Sequence, residues 1–217
     1  MKKSNRYDTS ALPEAQFEFG SRRRVLKNKL GIKSKRAMDK LEREEQLRAI
    51  DKLTHIYDSK HRFTAADVCN IHTVWLGKIY DWAGRYRQVN ISKEDFHFAA
   101  AAHVPKLMVE FEKGPLHNFT PCNFESKEKI IEALAVVHTE LILIHPFREG
   151  NGRVARLLSI LMGMQAGLPP LDFRGIISRK NKEYISAIHA GMERSYEPME
   201  KIFKSVIYKT LRVRGQK

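Results

Sequence analysis

Apolar residues recur at helical spacing through most of the chain, and the exception is a short central stretch. From Arg36 to Tyr57, Met38, Leu41, Leu47, Ile50 and Leu53 stand between Glu, Arg and Lys, which predicts an amphipathic helix. A second helix is expected over Thr64 to Ile79, with Thr64 as N-cap and Val68, Ile71, Val74, Trp75 and Ile79 as its apolar stripe. Val104 to Phe111 reads as a third. Ser126 to Ile144 has the broadest apolar face, made of Ile130, Ile131, Leu134, Val137, Leu141 and Ile144, and is expected to be the buried centre. Another helix runs from Arg153 to about Gln165, stopped by Gly167 and the Pro169-Pro170 pair. Two amphipathic segments follow, near Lys182 to Met192 and over Glu197 to Val213.

The rhythm changes after the Trp82-Ala83-Gly84 turn. Arg85 to Ile91 partly alternates and carries Tyr, Val and Ile, so a strand is expected there; Lys93-Glu94-Asp95 then turns it back through Phe96-His97-Phe98. The fold class is therefore mainly α, a helical bundle with one small β-hairpin. The pattern divides the chain into an arm over 1–20, one folded domain over 21–205 and a basic tail over 206–217. The arm carries Pro13 and two phenylalanines, Phe17 and Phe19, by which it would dock.

Composition narrows the function classes only a little. At 217 residues the chain can bury a core without disulfides, and Cys69 and Cys122 lack metal or redox spacing, which favours a reducing compartment. No apolar run approaches membrane-spanning length, and Ser4 to Ser10 is polar where a signal peptide would be apolar. A soluble cytoplasmic chain is expected, or one delivered into a host cell if it acts as an effector. The net charge of +14 favours acidic partners, but the basic residues concentrate in 22–36 and 201–217, where solvated faces are the commoner outcome.

The chemistry lies between the central helix and the next, in His145-Pro-Phe-Arg-Glu-Gly-Asn-Gly-Arg-Val-Ala-Arg156. Gly150, Asn151 and Gly152 open a helix, where free N–H groups and the macrodipole favour an anion and glycine lets the backbone approach it closely. Arg153 and Arg156 are three apart, on one helical face, and suit phosphate oxygens. Glu149 beside them would repel phosphate unless a cation intervened; Mg²⁺, which takes carboxylate and phosphate oxygens, fits that role. His145 can take a proton from a Ser, Thr or Tyr hydroxyl, a contribution of about 10²–10⁴-fold.

This segment resembles the motif of the Fic family, His-x-Phe-x-(Asp/Glu)-Gly-Asn-Gly-(Arg/Lys)-x-x-Arg, with every specified position met. Looser likeness covers roughly residues 15 to 205: Asn28 to Ile32 looks like the family's N-terminal helix, Asp81 to Arg87 like the approach to its flap, and Tyr196-Glu197-Pro198-Met199 like a late segment. Arg194-Ser195 departs from the Gly-Asp or Asn-Asp usual before that segment. The resemblance implies a Fic-type helical bundle that transfers AMP from ATP to a protein hydroxyl. It makes His145 the general base, Glu149 the Mg²⁺ ligand, Gly150 to Gly152 the anion hole, and Arg153 and Arg156 the phosphate ligands. The flap, Val89 to Phe98, would hold the target protein by strand addition. Lys93, near its tip, would reach nucleotide or target, or be an exposed turn lysine.

Family members are generally restrained by a helix with the pattern (Ser/Thr)-x-x-x-Glu-(Gly/Asn), whose Glu pairs with the motif's second arginine, here Arg156. The one Ser or Thr with Glu four residues on is Ser10, with Glu14; Ala15 follows, and Pro13 interrupts the turn. The chain thus resembles the class inhibited by a small partner antitoxin. Transfer of UMP, phosphate or phosphocholine on the same fold is the alternative within the enzymes. Outside them stands a basic nucleic-acid-binding protein, disfavoured by the order of His145, Glu149 and the two arginines.

Overall fold

The computed structural model describes residues 11–93, 96–175 and 181–213. The expected hairpin tip at Glu94 and Asp95, Ser10 with the rest of 1–10, and the last tail residues lie outside them.

Helix α1 spans Lys35–Ile56, with the Ser34 side chain accepting from the Ala37 N–H. Its buried stripe is Met38, Glu42, Glu45, Ala49 and Leu53, so two glutamates occupy positions of the core-facing row. Leu47, expected on the apolar face, falls off that row and is 70% exposed. Helix α2 spans Ala65–Leu76 and opens with a capping box between Thr64 and Asp67, which satisfies two end donors reciprocally. It stops before the expected Ile79; that residue is buried all the same, in the turn that follows. Helices α1 and α2 pack together.

Helix α3, Val104–Phe111, continues through a π-helical turn at Glu112–Leu116. The central helix α4, Lys127–Ile144, starts on a Ser126 cap and buries nearly all of its inner face; it packs against α3, the motif helix α5 (Asn151–Gln165), the short α6 (Asn181–Ala190) and the long α7 (Glu197–Val213). Helix α7 continues past 205, and Val206 and Thr210 on it are buried. Among the described residues no helix is long and apolar enough to cross a membrane.

The strand expected over Arg85–Ile91 does not form. The Arg87 N–H donates to the Pro146 carbonyl (2.8 Å) instead of to a neighbouring strand, and its side chain turns into the core at 1% exposure. Only β1 (Ser92–Lys93) and β2 (Phe96–His97) pair, antiparallel, with Ser92 opposite His97 and Lys93 opposite Phe96. Asn28 to Ile32 is a turn and not a helix: the Asn28 amide donates to the Leu26 and Ile32 carbonyls and accepts from the Leu30 and Ile32 N–H groups, the local competition that keeps Asn out of helix interiors. The arm docks by Glu14, 5% exposed, whose carboxylate accepts from the Gln88 N–H (2.6 Å) and whose carbonyl accepts from Arg148 Nε (3.0 Å). Of the arm's phenylalanines, Phe17 packs on the core and Phe19 is 89% exposed.

Candidate active site

The motif loop is set by the way α4 ends and α5 begins. His145 takes the left-handed conformation (φ 52°, ψ 58°), which terminates α4 and turns the chain sharply. Gly150 is also left-handed (φ 85°), and a Cβ there would lie 2.7 Å from the Trp75 ring, so glycine is required twice over. Between them Phe147 packs inward at 0% exposure, stacked on His72 with ring centres 4.0 Å apart. His72 Nδ1 accepts from the Gly84 N–H (2.7 Å), so the proton sits on Nε2 and is donated to the Glu149 carbonyl (3.1 Å). Burial pushes this imidazole down to about 3, which keeps it neutral in that arrangement. The Asn151 amide closes the loop, donating to the Phe147 carbonyl (2.7 Å) and accepting from its N–H (2.8 Å).

His145 is braced from three sides. Its Nδ1 faces the Ile142 carbonyl at 3.1 Å and must donate there, which leaves Nε2 as the unprotonated nitrogen of the neutral ring. The Phe98 ring stacks on it, centres 3.6 Å apart. Arg87 Nε donates to the His145 carbonyl (2.6 Å), while the rest of the guanidinium bonds the Val89 carbonyl (2.8 Å) and the Ala99 carbonyl, one on each side of the flap. Burial lowers the His145 imidazole to about 4, with the Arg87 and Lys93 charges acting in the same direction. The ring is therefore neutral, and able to accept a proton, throughout the physiological range.

These residues border a cavity of about 820 Å³, within the range of small-ligand sites. Its floor is the turn His145 to Gly152 with Arg153 and Arg156; its roof is Ile91, Lys93, Phe96 and Phe98; its side wall is Tyr184, Ile188 and His189 of α6. His145, Glu149, Gly150, Asn151, Gly152, Arg153 and Arg156 of the motif all lie on this cavity, as does Lys93. The two arginines differ. Arg153 is paired with Glu42 (2.5 Å) and Glu149 (3.2 Å), whereas Arg156 has no carboxylate partner among the described residues. Burial lowers the Arg156 guanidinium below its ordinary value, with the neighbouring Arg153 charge acting in the same direction and Tyr184 against it. Gly150 at the N-cap of α5 offers no side chain to cap the helix, which leaves the Asn151 and Gly152 N–H groups to an anion, while the Arg153 N–H already bonds the Gly150 carbonyl (2.9 Å). Glu149 Oε1 accepts from the Gly150 N–H (2.9 Å), and among the described residues no cluster of three or more metal-ligating side chains forms. A cation here would take one carboxylate from the protein and its other ligands from phosphate and water, which fits Mg²⁺ carried on a nucleotide.

Sequence reading missed Glu42, Arg87, His72 and Glu14, all of which hold the loop from outside the motif. The signal for Glu42 was present, since 38, 42, 45, 49 and 53 make a better helical row than the apolar residues alone.

The model of the Fic/DOC family matches residues 62–162, from just before α2 to near the end of α5. This chain is a Fic-family protein. It is 28% identical over 192 residues to the protein adenylyltransferase Fic of Nematostella vectensis, a match that covers 85% of this chain and 43% of that relative. It is also 28% identical over 189 residues to the protein adenylyltransferase fic-1 of Caenorhabditis briggsae, covering 84% of this chain and 35% of the relative. The Fic chain thus spans less than half the length of these two relatives. Among solved structures, BepC of Bartonella tribocorum, a VirB-translocated effector with bound AMPPNP, matches with a TM-score of 0.70 at 24% identity and covers 91% of this chain and 98% of its own. The N-terminal Fic domain of a VirB-translocated Bep effector from Bartonella quintana, with bound ADP, matches with a TM-score of 0.67 at 28% identity and covers 83% of this chain and 89% of its own. Both confirm the helical fold with its small hairpin.

Proposed function

We propose that this Fic domain transfers the AMP group of ATP to a Ser, Thr or Tyr hydroxyl of another protein. The observation that carries this reading is a neutral, half-buried His145 with Nε2 unprotonated, on the same cavity as Arg156, which has no carboxylate partner among the described residues. In the step proposed, the target hydroxyl oxygen attacks the α-phosphorus while its proton passes to His145 Nε2. The bond from the α-phosphorus to the bridging oxygen breaks, and diphosphate leaves. Arg156, with the N–H groups of Asn151 and Gly152 and that of Gly150 once Glu149 releases it, would hold the departing phosphates, and Arg153 would add its second amino group. Glu149 would hold Mg²⁺, whose charge screens the phosphate oxygens from the carboxylate. The adenylyltransferase names of the relatives and the nucleotides bound in the Bartonella structures support ATP as substrate.

Incubation with ATP labelled separately at the α and γ positions tests this reading. Label from the α position alone should appear on protein. Transfer of γ label would establish a phosphotransferase, and no transfer from ATP with transfer from UTP would establish UMP as the group moved. The flap, Val89 to Phe98, is proposed to hold the target backbone, with Lys93 at the mouth of the cavity.

Restraint by a small partner protein belongs to the same proposal. Arg156 lacks a carboxylate partner among the described residues, and Glu14, the acid of the pattern-like arm, is bonded to Gln88. Expression alone should slow bacterial growth, and Arg156→Ala should relieve it. Co-expression with a short neighbouring reading frame carrying (Ser/Thr)-x-x-x-Glu-(Gly/Asn) should relieve it too and give a stable complex on gel filtration. A harmless, active chain with no such neighbour refutes the partner.

A further inference from the structure

We infer that Glu42, on α1 and outside the motif, is the positioning residue for Arg153: it fixes the guanidinium so that one edge is bound in the protein and the other is presented to the diphosphate end of a nucleotide. This rests on the nucleotide reading above and adds to it a residue that the motif does not contain.

Glu42 is 2% exposed, and a carboxylate taken out of water is tolerated only when fully partnered. Its partners come from three elements. Tyr80, from the turn after α2, donates its hydroxyl to Oε1 (2.8 Å), and Arg153 Nη1 of α5 donates to Oε2 (2.5 Å). Trp75 Nε1 of α2 donates to the Glu42 carbonyl (2.8 Å), so the residue's own backbone is held as well. The guanidinium carbon of Arg153 lies over the Trp75 ring, 4.6 Å from its centre. One edge of the guanidinium is thus bound to a buried carboxylate and one face to an indole.

Among the described residues, the remaining edge, at Nη2, hydrogen-bonds only the exposed Glu149, at 3.2 Å. The two contacts differ in kind. The Glu149 side chain is 48% exposed and the Glu42 side chain 3%, so the first pair exchanges readily with solvent or a phosphate, while the second persists. A planar fork with one edge immobilised loses less conformational freedom when it binds than a free arginine does. Among the described cavity residues the Glu42 carboxylate bonds only Arg153, so removing its charge should act on ligands that extend to the β- and γ-phosphates and not on those that end at the first.

Calorimetric titration of the full chain with ATP and, separately, with AMP, both with Mg²⁺, tests this. The proteins are the wild type, Glu42→Gln, Arg153→Ala and the double variant. Glu42→Gln keeps the shape and one hydrogen-bond acceptor but removes the charge. It should weaken ATP about tenfold, the scale of one charge-assisted hydrogen bond, and change AMP by less than about twofold. In the Arg153→Ala background the same substitution should add less than about twofold for ATP, since the partner it acts through is gone. Equal losses for ATP and AMP would make Glu42 a structural staple between α1 and α5 and overturn the inference; so would losses that multiply in the double variant. If Glu42→Gln does not fold, Tyr80→Phe, which removes one hydrogen bond to Oε1 and leaves the charge, should weaken ATP about two- to fivefold with AMP unchanged, and no change in ATP would overturn the inference. A wild type that binds no ATP refutes the nucleotide reading itself. A wild type that binds ATP while Glu42→Gln matches it refutes Glu42 alone.

Discussion

The turn from His145 to Gly152 and the flap from Ile91 to Phe98 face each other across one cavity, yet they are held by different kinds of contact. The turn is bound by hydrogen bonds out of reach of bulk water from three side chains, two of them from elsewhere in the chain: His72 to the Glu149 carbonyl and Arg87 to the His145 carbonyl, with Asn151 of the turn itself bonding both backbone groups of Phe147. The flap has two paired residues on each strand and two ring stacks, Phe98 on His145 and Phe96 on His189. Buried, partnered polar groups admit one geometry, while ring stacks and a two-residue ladder can be exchanged for other contacts. The region that must hold reacting atoms in place is over-determined, and the region proposed to receive a partner is not. Arg87 belongs to both, since the same guanidinium bonds Val89 and Ala99 at the feet of the flap.

The largest effect should come from the turn. His145→Ala should lower AMP transfer by about 10²–10⁴-fold with ATP affinity nearly intact, read from labelled transfer and from calorimetry. Activity above a few per cent of wild type would remove the imidazole from the chemistry. Arg87→Met tests the link between the regions. It leaves several buried carbonyls without a donor, so about 3 kcal/mol of stability should be lost in urea unfolding, together with transfer to target. A loss below about 0.5 kcal/mol would show that water replaces the guanidinium and that the two regions are not coupled through it.

On the flap side, Ile91→Glu or Phe96→Asp should reduce modification of a target about tenfold, with self-modification and ATP binding preserved. A parallel fall in all three would mean that the flap serves the fold alone. The smallest effect near neutral pH is a stability slope. His72, His138 and His145 are all pushed down by burial, to about 3, 3 and 4. A depressed histidine binds its proton in the unfolded chain first, so stability should be complete above about pH 6.5 and fall as pH drops toward 3, by at most about 1.4 kcal/mol per pH unit for each ring. Urea midpoints at pH 7.5, 6 and 5 measure it. A flat profile would mean that these rings are protonated, and the turn looser, in the native protein.

Much of the fold was legible because its helices bury apolar faces. The row Ile130, Leu134, Val137, Leu141 and Ile144 predicts α4 and its central place, and Thr64 with Asp67 marks the start of α2. The site was legible for a different reason, since its residues are contiguous and their chemistry is explicit in the chain. What could not be read were contacts from polar side chains that fold inward over long separations. Arg87 lies in a segment with the alternation of a strand, and nothing in that pattern says that its side chain is buried and its N–H is taken by Pro146. Glu42 and Glu45 read as the polar face of α1 because charge normally marks solvent; here they mark the buried side. Asn28 to Ile32 was misread for want of a local clue, its four Asn28 hydrogen bonds being a property of the folded turn.

Glu14 bears on how this protein can be cut down or fused. It stands 48 residues upstream of the segment that matches the family model, yet its carboxylate holds the Gln88 N–H beside Arg87 and its carbonyl holds Arg148 in the motif loop. A minimal fragment drawn at residue 62 would lose that clasp along with all of α1, and one drawn at residue 21 would lose it together with the packing of Phe17 on the core and the Glu18 carboxylate that accepts from Asn28. Glu14→Ala in the full chain is therefore the sharper tool: it removes the carboxylate from the Gln88 N–H without altering a residue of the motif or the packing of Phe17.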